Sequence, residues 1–220
     1  MSSPAGDRQP LSRERILRAG IELADENGIA GLSMRKLAAH LGFEVMSLYN
    51  HVANKEDLVG GMVDLVHAEI EPPPVGAGWK AGLRAYATSM QGALRRHRWA
   101  AALVPRYFPG DNRWRAAETI LGLLSEGGFT GHLRDVGYHA ITVHIGGFTQ
   151  QQLSYATTPQ RAAEQYERFR QEVSADDYPL MVDHVRYHME MDEVPGERPD
   201  EFQFVLDLIL DGLERGRGDI

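Results

Sequence analysis

Between Ser33 and Asn54 the sequence sets two apolar patterns, each about two helical turns long, on either side of Gly42. Met34, Leu37, Ala38 and Leu41 make one stripe, and Val45, Leu48, Tyr49 and Val52 make the other. Helices this short cannot persist alone, because nucleation fixes several residues for few hydrogen bonds. They need a prop. The upstream stripe Ile16, Leu17, Gly20, Ile21, Leu23 and Ala24 supplies one, from a Ser12 N-cap to a stop at Asn27-Gly28. If Val45, Leu48 and Val52 point inward, Met46, Ser47, Asn50 and His51 project outward, with Tyr49 at the boundary.

The same 3.6-residue period runs through nearly all of the chain. Asn54 caps an acid-led helix (Glu56, Asp57) whose face is Leu58, Met62, Leu65, Val66 and Ile70; Pro72-Pro73-Pro74 and Gly76-Ala77-Gly78 then break it. Further helices are predicted at about 79–97, 111–126, 131–157, 162–173, 178–191 and 200–215, with no alternating strand pattern and no internal repeat. The expected fold class is all-α. With 220 residues, 43% of them hydrophobic, the chain can bury a substantial core. The segment MSSPAGDRQP lacks a signal-peptide apolar region and no internal run is long enough to span a bilayer, so a cytoplasmic protein without a membrane partner is expected. The absence of Cys removes disulfides and thiolate chemistry.

A short helix propped by two others, with polar residues on its free face, fits the major groove of duplex DNA. Arg35 and Lys36 start one helix and Lys55 starts another, where free backbone N–H groups already favour phosphate. The net charge of −8 opposes indiscriminate binding to nucleic acid. That deficit lies wholly beyond residue 56, since residues 1–56 hold 7 Lys and Arg against 7 Asp and Glu. On composition and spacing alone, ordinary polar residues on a helical bundle remain an equal alternative. An enzyme is the rival class. No nucleophile elbow, HExxH, P-loop or dinucleotide fingerprint supports it, and no cofactor is expected. His184 and His188 stand one turn apart beside Asp183 and Asp192, but no further ligand is fixed by spacing, so no metal site is assigned.

The run "ILRAGIELADENGIAGLSMRKLAAHLGFEVMSLYNHVANKEDL" resembles the N-terminal helix-turn-helix domain of the tetracycline-repressor (TetR) family, with Gly20, Gly28, Ala38, Gly42, Leu48-Tyr49, His51 and Asn54-Lys55 in family spacing. The resemblance implies a DNA-binding domain at 1–56 and a helical ligand-binding and dimerisation domain at 57–220, with a linking helix at 55–71. It implies a regulator, a repressor by preference, that binds a palindromic duplex operator as a homodimer and is released by a small molecule. A regulator without an effector remains the alternative, with a helical metal-dependent enzyme behind it. By resemblance Met34 and Arg35 approach DNA from the first helix of the motif. Val45, Met46 and Tyr49 present the reading surface with His51 beside them, and Ser47, Asn50 and Lys55 hold phosphates. Val45, Met46 and Asn50 differ from the tetracycline repressor's residues, so a different operator is expected. Val and Met suit thymine methyl groups better than guanine.

"GWKAGLRAYATSMQGALRRHR" and "EFQFVLDLILDGLERG" look like parts of the family's C-terminal domain. Phe202, Leu206, Ile209 and Leu213, with Phe204 and Leu208, give the last helix an apolar surface wider than one buried stripe. Phe202, Leu206, Ile209 and Leu213 of it, together with Val136, Ala140, Val143 and Gly147, are assigned to a four-helix dimer interface, with an internally buried last helix as the alternative. An aromatic pocket for an unidentified apolar or aromatic effector is assigned to Tyr86, Met90, Tyr107, Tyr138, His144, Phe148, Gln151 and Tyr155. Positions that carry drug-contacting Asn and Phe and a metal-supporting His in tetracycline repressors fall at Tyr86, Met90 and Val104, so the resemblance does not extend to tetracycline itself.

Overall fold

The computed structural model describes residues 10–155, 159–192 and 200–217. Its elements there are α1 (Arg13–Gly31), α2 (Met34–Leu41), α3 (Val45–Tyr49), α4 (Lys55–His67), α5 (Gly78–Arg96), a 3-10 turn (Val104–Arg106), α6 (Asp111–Glu126), α7 (Gly131–Tyr155), α8 (Pro159–Glu172), α9 (Pro179–Asp192) and α10 (Glu201–Gly216). The protein is all-α, with no strand among the described residues.

Local chemistry sets these boundaries. Ser12, Ser33 and Asn54 each accept from a backbone N–H three residues on, at 3.2, 3.2 and 2.8 Å, so α1, α2 and α4 begin on side-chain caps. Gly28 interrupts α1 at φ 70°, ψ 161°, a conformation open to glycine at little cost. The linking helix is shorter than the predicted 55–71. After His67 the chain tightens into i to i+3 bonds, Ala68 N–H to Leu65, Glu69 to Val66 and Ile70 to His67, ahead of the three prolines.

One core runs through the molecule. α1 packs on α2 and α4, and α4 in turn touches α5 and α6; α5, α6, α7 and α10 pack on one another as a bundle. Gly20 lets α4 approach α1, since a Cβ there would lie 2.8 Å from Met62 Sδ. The last helix has two faces of opposite fate. Phe202, Leu206 and Leu213 are buried inside the protomer, so their assignment to a dimer interface is corrected, whereas Ile209 packs half-buried on the same core. Outward instead stand Phe204 and Leu208, 62% and 54% exposed. On α7, Val136, Val143 and Gly147 are exposed and Ala140 half-buried, so that helix turns its small and apolar stripe outward.

Candidate nucleic-acid interface

The turn between α2 and α3 rests on Gly42, which adopts φ 73°, ψ 32°. Its N–H and that of Phe43 return to the carbonyls of Ala39 and Ala38, at 3.2 and 3.0 Å, closing the end of α2. α3 then has only five residues. Leu48 and Val52 anchor it in the core with 0% and 1% exposure, and Val45 packs half-buried beside them. That anchoring fixes the rotation of the helix. Met46 is 72% exposed and Tyr49 41%, Asn50 is exposed, and Ser47 and His51 sit half-buried at the margin.

A guanidinium seats this unit on the rest. Arg13 donates from Nη1 and Nη2 to Asp57 Oδ2 and Oδ1, at 2.9 and 2.6 Å, and from Nη1 to the His51 carbonyl at 3.1 Å. The Ala53 N–H also donates to Asp57 Oδ2, at 2.8 Å. These bonds tie the start of α1 to the start of α4 under the end of α3. The Arg13 hydrogen bond holds the Asp57 carboxyl below its usual range. Nothing in apolar periodicity marks this pair; Arg13 reads as a surface residue after a cap, and Asp57 as a favourable charge in a first turn.

One of the expected DNA contacts is placed elsewhere. Met34 is buried, with 9% exposure, because it begins the apolar stripe of α2; it is corrected from a DNA contact to a core residue. Lys55 turns its ammonium to the Leu32 carbonyl at 2.7 Å, and Lys36 turns its own to Gly31 at 3.0 Å. Both lysines therefore close the α1–α2 turn. Arg35 remains exposed on α2 next to the reading helix.

The expected effector residues divide as well. Tyr86 and Met90 are buried on the inner face of α5, and Thr119 of α6 hydrogen-bonds the Tyr86 hydroxyl, whose pKa burial pushes up. Tyr138 is half-buried against the same core. Tyr107 is half-buried and lines a cavity of about 440 Å³ between α1, α4 and the α5–α6 connection. His144 and Phe148 pack against α10. The His144 ring stacks on Phe202 with centroids 4.7 Å apart, its Nε2 donates to the Phe202 carbonyl at 2.9 Å, and Phe148 meets Phe202 edge-on at 5.6 Å. They knit α7 to α10. Gln151 is exposed, and the side chain of Tyr155 lies outside the described residues.

His67 is an interior polar group that periodicity did not single out. It ends α4, is 6% exposed, and donates from Nδ1 to the Val63 carbonyl at 2.9 Å; burial lowers its pKa, with the Arg113 charge adding to that. Arg113, half-buried in the first turn of α6, is itself lowered by burial, within electrostatic range of Asp64 and Tyr138. The signal for His67 was a titratable residue on an otherwise apolar helix face. His184 and His188 lie with ring centroids 4.5 Å apart, but no group of three metal-ligating side chains occurs among the described residues. Nor is any described helix long and apolar enough to cross a membrane.

Comparison with known proteins bears on the whole chain. Residues 16–62 match the family described as bacterial regulatory proteins, tetR family, and residues 71–216 match the tetracyclin repressor-like C-terminal domain. The tetracycline repressor protein class D of Escherichia coli is 36% identical over 160 residues, covering 70% of this chain and 72% of that protein. The HTH-type transcriptional repressor DrrR1 of Streptomyces coeruleorubidus is 30% identical over 220 residues, covering 95% and 79%. Among solved structures, apo ActR of Streptomyces coelicolor superposes with TM-score 0.76 at 27% identity over 96% of this chain and 98% of its own; ActR in complex with actinorhodin gives 0.75 at 26%, over 96% and 100%. A buried-anchor reading helix, a helical bundle behind it and similarity that spans both place this chain in the tetR family of bacterial regulatory proteins.

Proposed function

We propose that the protein is a cytoplasmic repressor that binds a palindromic operator as a homodimer and is released by a small apolar or aromatic molecule. The observation that carries this reading is α3: buried Leu48 and Val52 hold a helix whose free face is Met46, Tyr49 and Asn50, beside the exposed Arg35. Such a face has no partner among the described residues and has the dimensions to enter a major groove. Residues 1–56 form the reading head and 57–220 the effector and dimer part, with α4 shared, since Leu58 and Met62 belong to the core that α1 also enters.

The second copy covers Val136, Ala140, Val143 and Gly147 of α7 with Phe204 and Leu208 of α10. These faces are apolar, and a Cβ built at Gly147 or Gly212 meets nothing within 4 Å, which leaves room for close helix approach. The effector sits between α4, α5, α6 and α7, on Tyr86, Met90, Tyr107 and Tyr138, with His67 and Arg113 as polar anchors. The complex of ActR with actinorhodin supports a ligand-controlled reading.

Induction then passes through Asp64. This α4 carboxylate accepts from Arg113 N–H at 3.0 Å and from Asn112 Nδ2 at 3.0 Å, capping the first turn of α6. A ligand that shifts α6 thus pulls α4, and α4 carries the head through Asp57 and Arg13. Moving the operator-competent population from 99:1 to 1:99 takes about 5.5 kcal/mol of differential ligand affinity. Selection of bound fragments from genomic DNA, followed by footprinting, tests the reading. A symmetric site protected on one face of the duplex is expected, and selection that returns no symmetric site removes it.

A further inference from the structure

A buried histidine lies where the reading head meets the bundle. His97 is the C-cap of α5 and is 8% exposed. Its Nδ1 lies 2.9 Å from Asp25 Oδ2, and its Nε2 lies 3.0 Å from Glu69 Oε1. Asp25 belongs to α1, the prop of the head, whereas Glu69 follows α4 on the way to α5. Trp99 Nε1 donates to Asp25 Oδ1 at 2.7 Å, and Arg96 Nη2 donates to Glu69 Oε2 at 2.9 Å.

A neutral imidazole carries one N–H and one lone pair, so it can donate to only one of these carboxylates. The imidazolium donates to both. We propose that charged His97 is a positioning residue for operator binding: by bridging Asp25 to Glu69 it fixes the reading head against the bundle, and loss of its proton releases the head. The inference rests on the regulator reading above. The groups facing the ring are Asp25 from α1, Glu69 from the α4–α5 connection, Arg96 from α5 and the Trp99 indole; two carboxylates oppose one guanidinium, so the surroundings are net negative. When the ring is neutral, one carboxylate is left facing a lone pair at about 3 Å, which is repulsive. The bridge therefore holds while the ring carries both protons and is lost with one of them. Two heads must meet two half-sites together, so a loosened head forfeits affinity.

The test measures operator binding of the full chain by fluorescence anisotropy at constant ionic strength, between about pH 5.5 and 8.5, where histidine is the side chain that titrates. Wild type should lose affinity as pH rises, by up to about tenfold per pH unit for each linked proton. His97→Gln and Asp25→Asn should lack that component, and Glu69→Gln should reduce it. The head also carries His40 and His51, so the difference between wild type and His97→Gln isolates His97. A second readout needs no DNA: in a Trp79→Phe, Trp114→Phe background, Trp99 emission should shift with pH, and adding His97→Gln should abolish the shift. Superposable operator profiles for wild type and the three folded variants overturn this inference and leave the regulator reading intact. A Trp99 shift without a matching change in operator affinity overturns the positioning role. If wild type binds no operator at any pH, the regulator reading fails and the inference fails with it.

Discussion

Asp57 accepts from the Arg13 fork and from the Ala53 N–H at once, which makes it the residue most exposed to acid in the head. Its folded pKa is depressed, chiefly by the Arg13 bond, so its contribution is present above the unfolded value and lost as pH falls through the folded one, below about pH 4. Both partners are partly exposed, which limits the ion pair to roughly 1 kcal/mol or less. Asp57→Asn should flatten the acid limb of urea-denaturation stability, and an unchanged limb would show that other carboxylates govern it. Gly110 makes a comparable local demand. A Cβ there would lie 2.5 Å from Asp64 Cγ, so Gly110→Ala must displace the carboxylate that caps α6. Reduced response to an inducer with operator affinity retained is the expected outcome in a titration of preformed complex; full inducer response would break the proposed path through Asp64.

α3 shows how an element can be specified by its neighbours. Five residues cannot form a stable helix in isolation. Leu48 is fully buried, and Leu48→Ala should cost about 2–5 kcal/mol and unseat the reading surface. Tyr49→Ala, on the outer face, should leave the circular dichroism melt unchanged and cost about 1–3 kcal/mol of operator affinity. If operator affinity survives that change, α3 is not the reader. Lys55 separates the two uses of a cation at a helix start. Spent wholly on phosphate, its removal would lower the salt slope by about 0.9. Its bond to Leu32 instead predicts for Lys55→Ala a loss of head stability with a smaller slope change, measured by denaturation alongside salt titration.

At the scale of the molecule, the outward faces of α7 and α10 decide the assembly. Val143 is 69% exposed and Phe204 62%, and an aqueous protein that leaves such faces bare risks association. Val143→Asp with Phe204→Asp should give a folded monomer by sedimentation, with operator affinity reduced to that of one head. A dimer surviving both changes would move the interface elsewhere. Coupling between effector and operator is reciprocal. Any inducer should bind the free protein more tightly than the operator complex by the factor with which it weakens DNA binding, and equal affinities in paired calorimetric titrations would remove the induction scheme.

What the sequence determined by itself was whatever depends on near neighbours along the chain. Ser12, Ser33 and Asn54 cap helices because a side-chain oxygen reaches an N–H three residues on, Gly28 and Gly42 turn the chain because positive φ suits them, and a repeat of 3.6 residues reports a helix wherever one face is apolar. The family resemblance was equally legible in residues 16–58, inside the 16–62 that match the family, where those turns and caps keep fixed spacing. Only tertiary structure could decide which of two apolar faces on α10 is inside, since Phe202 and Phe204 are equally hydrophobic and differ only in rotation against α7. It likewise turned Lys55 toward Leu32, placed His144 against Phe202, and brought Arg13 to Asp57 and Asp25 to His97. Those partners lie tens of residues apart. Their meeting is set by how helices cross in a shared core, and no pattern of local period or spacing encodes that.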